Sequence, residues 1–167
     1  MQNSAVDIQQ DPLLLFQVGK HPWAVELNWV REVVPAKGIG ALPNSNPEVA
    51  GMMNVRGEVI PVIDGGDILN VSGNGGSGGN RKVLLFTFQE GCLGLLVDSV
   101  SRVELTSVRD HSASVADPTT GFCNQRFVSG LAACGDSESV PVLDLSELLN
   151  FITAINRANT DQGAEVA

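Results

Sequence analysis

The chain has 167 residues, and its 10 basic and 19 acidic residues give a formal net charge of −9. This length fits one domain of roughly 100–200 residues, and a hydrophobic content of 43% excludes a disordered chain. The acidic balance and an aromatic content of only 5% argue against nucleic-acid binding, which needs a basic surface and stacking rings.

Alternating apolar residues predict short strands along most of the chain. Over residues 22–30, four apolar side chains alternate with small or polar ones, which predicts a strand buried on one face. The segment 89–91 lies between two apolar runs and predicts a tight hairpin. The other predicted strands are residues 13–18, 58–63, 82–88, 92–97, 100–105, 127–131 and 140–143. Many short strands separated by turn residues favour an all-β barrel or sandwich.

One segment near the end of the chain has helical spacing instead. Its apolar residues recur on one helical face, at positions 145, 148, 149, 152 and 155. Asp144 and Glu147 have the spacing of a capping box, in which side chains bind the free N–H groups of the first turn. We therefore expect a helix over residues 145–157, followed by a frayed tail over residues 158–167.

An internal repeat links the two halves of the chain. Residues 60–70 (IPVIDGGDILN) align without gaps on residues 140–150 (VPVLDLSELLN), and residues 49–51 resemble residues 128–130. A repeated strand, Asp and helical turn predict two similar units packed together, and we interpret them as two small barrels. The alternative is a coincidence between two strand ends.

Glycines are concentrated in residues 65–80, and residues 73–78 even match the G-x-G-x-x-G pattern. That pattern binds phosphate only where a helix follows it, and here a strand is predicted next. We interpret the segment as a connecting loop.

Several features predict a cytoplasmic protein without cofactor, metal or membrane insertion. The first eleven residues contain two acids and no basic residue, unlike a secretory signal. No apolar run approaches the roughly 18–20 residues that span a bilayer. The three cysteines form no C-x-x-C pair and are typical of free thiols in a reducing compartment, and two histidines offer little to zinc.

Two groups of residues could carry chemistry. Cys123 and His111 could form a thiol-dependent enzyme site, although their spacing favours a solvent-facing His and a half-buried Cys. Arg56, next to Gly57, could present a rigidly held donor fork to a carboxylate of a partner. Arg56 could equally pair with an acid of its own chain, such as Glu32 or Glu58, and local chemistry leaves both interpretations open.

Residues 49–64 (VAGMMNVRGEVIPVID) resemble the G-x-x-N-x-R-G-x-x-x-P-v-x-D signature of CheW-like domains, the coupling proteins of bacterial chemosensory arrays. Residues 29–33, 94–100 and 130–149 fit the same family in order. The resemblance implies two five-stranded SH3-like β-barrels packed together, with a C-terminal helix. We expect one domain of two intertwined barrel subdomains over residues 12–152, between an N-terminal tail (1–11) and a C-terminal tail (158–167).

The resemblance implies a non-catalytic adaptor that couples methyl-accepting chemoreceptors to a CheA-type histidine kinase. Its partners would be the cytoplasmic receptor tip and the regulatory domain of the kinase, in chemotaxis, surface motility or biofilm signalling. The protein-binding residues that it implies are Glu32, Asn54, Arg56, Gly57, Val100 and Val103. The chain departs from the family at Gly65 and Gly66, where a Leu usually follows the Asp, so we expect a weakened short helix there.

Overall fold

A computed structural model describes residues 10–43, 45–71, 79–89, 91–110, 125–135 and 138–163. Over these residues the chain forms eleven strands and two α-helices. The strands are β1 (Asp11–Val18), β2 (His21–Glu26), β3 (Val30–Pro35), β4 (Val49–Val55), β5 (Glu58–Asp64), β6 (Lys82–Phe88), β7 (Gly91–Val97), β8 (Ser99–Thr106), β9 (Val108–Asp110), β10 (Val128–Cys134) and β11 (Glu138–Leu143). The helices are α1 (Gly65–Ile68) and α2 (Leu145–Gly163).

The strands form two closed sheets. Barrel 1 has the order β8-β1-β2-β11-β10-β9, and it closes because Ser107 alone separates β8 from β9, so that one bent strand borders both edges. Barrel 2 has the order β3-β6-β7-β5-β4. The chain beyond β3 closes it, since Gly40 and Met52 exchange two backbone hydrogen bonds of 2.8 and 2.9 Å. With β8 and β9 counted as one strand, the prediction of two five-stranded barrels with a C-terminal helix is confirmed.

The two barrels are intertwined along the chain, because β3–β7 of barrel 2 lie between β2 and β8 of barrel 1. The internal repeat corresponds to a real duplication of local structure. Gly51 lies opposite Val62 in the β4–β5 pair, and Gly130 lies opposite Val142 in the β10–β11 pair, each directly after a register shift. Within its own barrel, the second strand of each pair also runs parallel to a strand outside the pair. In barrel 2, β5 lies beside β7, and in barrel 1, β11 lies beside β2.

Three apolar clusters make up the core. The largest, here called the shared layer, combines side chains of both barrels and of α2, including Trp23, Phe86, Leu95 and Leu148. Smaller clusters fill the interiors of barrel 1 and barrel 2. Many strands are therefore buried on both faces, one toward their own barrel and one toward the shared layer.

This arrangement corrects the prediction for residues 22–30. Trp23 and Val25 enter the shared layer, but Ala24, on the opposite face of β2, is also buried, inside barrel 1. The strand ends at Glu26, a 3₁₀ turn covers Leu27–Trp29, and Trp29 is 38% exposed. The single buried strand face was a wrong prediction because a two-barrel molecule buries both faces.

The other predicted elements agree with the structure in type and differ mainly at their ends. The hairpin at residues 89–91 is confirmed by the antiparallel β6–β7 pair, in which Phe88 lies opposite Gly91. The strand predicted over residues 127–131 begins one residue later and continues to Cys134. The apolar alternation does not reveal β3, β4 or β9. Residues 72–78 of the glycine-rich stretch lie outside the described residues.

Both repeated Asp residues begin a helix. Asp144 Oδ1 accepts a hydrogen bond of 3.1 Å from Glu147 N, and α2 begins at Leu145 as predicted. It continues to Gly163 instead of ending at residue 157, so part of the predicted tail is helical. Asp64 caps the single turn of α1, which forms despite its glycines. Gly65 is needed there, since a Cβ at this position would lie 2.6 Å from the backbone oxygen of Leu96.

Candidate protein-binding site

The turn between β4 and β5 presents Arg56 to solvent. Arg56 and Gly57 both have positive φ angles, +52° and +87°, which is typical of the type I′ turn that joins two strands through two residues. Asn54 Oδ1 accepts a hydrogen bond of 2.9 Å from Gly57 N and fixes the turn. The Arg56 side chain is 75% exposed. The N-x-R-G motif therefore builds a rigid base under a guanidinium that extends into solvent.

Glu32 of β3 lies beside this guanidinium. Its Oε2 is 3.1 Å from Arg56 Nη2, although its side chain is only 20% exposed. Arg56 therefore pairs with an acid of its own chain, as one interpretation expected, and most of its side chain is exposed to solvent. Its contact with a partner stays a prediction. The pairing neutralises a half-buried carboxylate, which would otherwise be costly to remove from water.

A second ion pair lies next to the first. Arg31 Nη1 donates a hydrogen bond of 2.7 Å to Glu58 Oε2, and Arg31 Nε is 3.8 Å from Glu32 Oε1. The hydrogen bonds to Glu58 and to Cys92 raise the pKa of Arg31 above its ordinary value. Signs alternate along Glu58, Arg31, Glu32 and Arg56, which we call the charge cluster.

Tertiary structure alone assembles the charge cluster. Arg31 and Glu58 are 27 residues apart, and β3 and β4 stand at opposite ends of the strand order of barrel 2. Closure of the barrel brings the β4–β5 turn beside β3. Sequence reasoning named Glu32 and Arg56 as site residues and named Glu58 only as a possible partner of Arg56. Glu58 pairs instead with Arg31, which sequence reasoning missed. A signal was present, since Arg31 directly precedes Glu32, a predicted residue of opposite charge.

Val100 and Val103 lie on β8, in barrel 1, whereas the four other predicted residues lie in barrel 2. Val100 is partly buried and packs against the shared layer, which both barrels form. Val103 is 49% exposed and Leu105, two residues further on the same strand, is 63% exposed. Together they give this strand an apolar outer surface.

A metal-binding cluster is absent from the described residues. They contain no group of three or more His, Cys, Asp and Glu side chains that could hold a metal ion. Burial, and then Glu104, raise the pKa of the Cys134 thiol, which keeps it protonated. Cys123 and His111, the predicted thiol-enzyme pair, lie outside the described residues. In the same part of the chain, no helix combines the length and apolarity needed to cross a membrane.

Comparison with known proteins agrees with the fold. The family model of the CheW-like domain matches residues 12–152. The chain is 26% identical to the chemotaxis protein CheW of Treponema pallidum over 152 residues, which cover 87% of this chain and 86% of the relative. It is 25% identical to a probable chemotaxis protein CheW of Rhizobium etli, over 83% of this chain and 86% of that protein.

The crystal structure of the scaffolding protein TtCheW from Thermoanaerobacter tengcongensis has the same fold. It matches with a TM-score of 0.70 at 20% identity, over 80% of this chain and 88% of that one. The family model and the relatives place the chain in the class of chemotaxis adaptors. The chain belongs to the CheW-like domain family, which confirms the resemblance. Its role is that of a chemotaxis coupling adaptor.

Proposed function

We propose that this adaptor acts in the cytoplasm, without catalysis, by binding two partners at once. One is the regulatory domain of a CheA-type histidine kinase, and the other is the cytoplasmic tip of a methyl-accepting chemoreceptor. The residues that we propose for these contacts are Glu32, Asn54, Arg56, Gly57, Val100 and Val103.

The observation that carries this proposal is the backbone of Arg56. A side chain other than Gly, Asn or Asp at a positive φ costs on the order of 1 kcal/mol or more, yet Arg56 holds φ +52°. Strained residues of this kind cluster at binding and catalytic sites, where the surrounding structure holds them. In a chain of net charge −9, a rigid exposed guanidinium offers bidentate recognition of a carboxylate on a partner.

The exposed side chains of β8 support a second kind of contact. Val103 and Leu105 expose about half or more of their surface, so a partner that covers them gains apolar burial at roughly 25 cal/mol per Å². Apolar burial would provide affinity, and the charge cluster would provide register and specificity.

Replacement of Arg56 by Asn separates binding from stability. Asn is favoured at this turn position, so Arg56→Asn removes the guanidinium and relieves the backbone strain. We expect a melting temperature close to that of the wild type, since relief of the backbone strain offsets the lost Arg56–Glu32 pair. We also expect at least tenfold weaker binding to the isolated kinase regulatory domain of the same organism. Calorimetric titration of the full-length adaptor measures the binding.

A matched control is Arg126→Gln, which removes a half-exposed arginine that pairs with Glu147 at the start of α2. It should bind the kinase domain as the wild type does. Arg56→Glu is a less clean variant, because it places a second carboxylate beside half-buried Glu32 and should lower the melting temperature. Wild-type binding by Arg56→Asn would refute the role of Arg56.

A further inference from the structure

The charge cluster contains one more cation than the Arg56–Glu32 pair needs. We propose that Arg31 is a reserve counter-ion for Glu32, which allows Arg56 to transfer from Glu32 to a carboxylate of the partner, and that Glu58 positions Arg31 for this task. Arg31 and Glu58 are thus positioning residues that set the affinity of the turn. The inference rests on the proposed function, because it explains how Arg56 can become available to a partner.

Glu32 makes such a reserve necessary. Its side chain is 20% exposed, and within the described part of the chain its buried Oε1 accepts no hydrogen bond. If Arg56 were its sole cation, a partner that captured Arg56 would leave a half-buried carboxylate without compensation. An unpaired charge in such a place is strongly unfavourable, and that penalty would reduce the affinity of the partner.

Arg31 already lies where the compensation is needed. Its Nε is 3.8 Å from the same Oε1, a distance that provides attraction but not a hydrogen bond. A movement of about 1 Å would produce a hydrogen bond of ordinary length. The guanidinium can act on both acids, because Nη1 bonds to Glu58 while Nε faces Glu32.

Glu58 keeps Arg31 close to the turn. It is the first residue of β5, directly after Gly57, so its position depends on the same turn that carries Arg56. In this pair the cation, Arg31, is on β3 and the acid is on the hairpin, with a hydrogen bond of 2.7 Å between them. In the other pair the cation, Arg56, is on the hairpin and the acid, Glu32, is on β3. The two pairs hold the hairpin against β3 even while one of them changes partner.

The free adaptor tests the sharing of Glu32 without any partner. We would measure the melting temperatures of Arg31→Gln, Arg56→Gln and the double variant, each in the wild-type and the Glu32→Gln background. Each single variant leaves one cation beside Glu32, whereas the double variant leaves none. We therefore expect the double variant to lose about 2 °C or more beyond the sum of the two single losses, and this excess to vanish with Glu32→Gln.

The control pairs Arg56→Gln with Arg126→Gln, whose losses should add. Additive losses for Arg31 and Arg56 would overturn the reserve role. An excess that persists in the Glu32→Gln background would overturn it as well, because the coupling would then not pass through Glu32.

Titration of the full-length adaptor against the isolated kinase regulatory domain tests the transfer. We expect Arg31→Gln to weaken binding about tenfold, Arg31→Lys to recover part of the loss, and Arg126→Gln to bind normally. If Arg31→Gln binds normally while Arg56→Asn loses binding, the transfer is overturned and the proposed role of Arg56 stands. If Arg56→Asn also binds normally, the proposed role of Arg56 in binding fails, and with it the transfer; the melting experiment then decides the charge sharing alone.

Discussion

Gly51 illustrates how one residue can control the closure of a barrel. It has a φ of +149°, and a Cβ at this position would lie 2.2 Å from the backbone oxygen of Gly40. Gly40 forms the two hydrogen bonds to Met52 that close barrel 2. No L side chain satisfies both the backbone angle and this close approach.

Gly51→Ala should therefore destabilise the protein by about 2–4 kcal/mol, since it adds backbone strain and separates the strands where barrel 2 closes. Urea unfolding measures the loss. Gly79→Ala is the matched control and should change stability little, because a Cβ at Gly79 has nothing within 4 Å and no positive φ is present. A loss below about 1 kcal/mol for Gly51→Ala would contradict the role of Gly51 in the closure of barrel 2.

At the level of elements, the start of α2 depends on its cap. Asp144 accepts the hydrogen bond from Glu147 N and donates its own backbone N–H to Phe127 O at 2.8 Å. The first turns of the helix bury Leu145 and Leu148 in the shared layer. The cap therefore lies next to the part of α2 that packs into the shared layer.

Asp144→Ala should lower the free energy of unfolding by about 1 kcal/mol, because it leaves a helix N–H group without an acceptor. Asp144→Asn should lower it much less, since an Asn side chain also caps well. Thermal unfolding of the two variants at one pH measures the difference. Equal losses would mean that the charge of Asp144, and not its hydrogen bond, provides the stability.

At the level of the whole molecule, Asp98 links the barrels in addition to the shared layer. Asp98, between β7 and β8, accepts a hydrogen bond from Gly19 N in the β1–β2 turn of barrel 1. Its other oxygen is 3.3 Å from Arg81 Nε, and Arg81 Nη1 is 3.6 Å from Asp64 Oδ2 at the end of β5. With the shared layer and the intertwined chain, these contacts make neither barrel an independent unit.

We therefore expect a single unfolding transition for the whole chain. Trp23 reports on the shared layer, and Trp29 reports on the 3₁₀ turn that leads into barrel 2. Trp23→Phe and Trp29→Phe each leave one tryptophan. Within each variant, the denaturant midpoint measured by fluorescence should coincide with the midpoint measured by circular dichroism. Separate midpoints for two probes of one variant would show that the barrels unfold independently.

Local chemistry made much of this fold predictable. Apolar alternation indicated most strands, and the helical spacing with Asp144 indicated the start of α2 at the correct residue. The repeat indicated two similar units, because equivalent strands with the same register shift need similar residues. Where alternation failed, as at Ala24, the cause was burial on both strand faces, which removes the contrast between apolar and polar positions.

The sequence by itself determined the family and the turn that carries Arg56, because the signature and the turn depend on residues that are close along the chain. Its internal repeat also indicated two similar units. Tertiary structure alone decided how Arg56 is paired and which other charges surround it. Barrel closure brings Arg31 and Glu32 of β3 to the β4–β5 turn. The reason is physical: charge interactions depend on distance in space, and a strand pattern specifies its own faces but not the neighbours that closure brings to them.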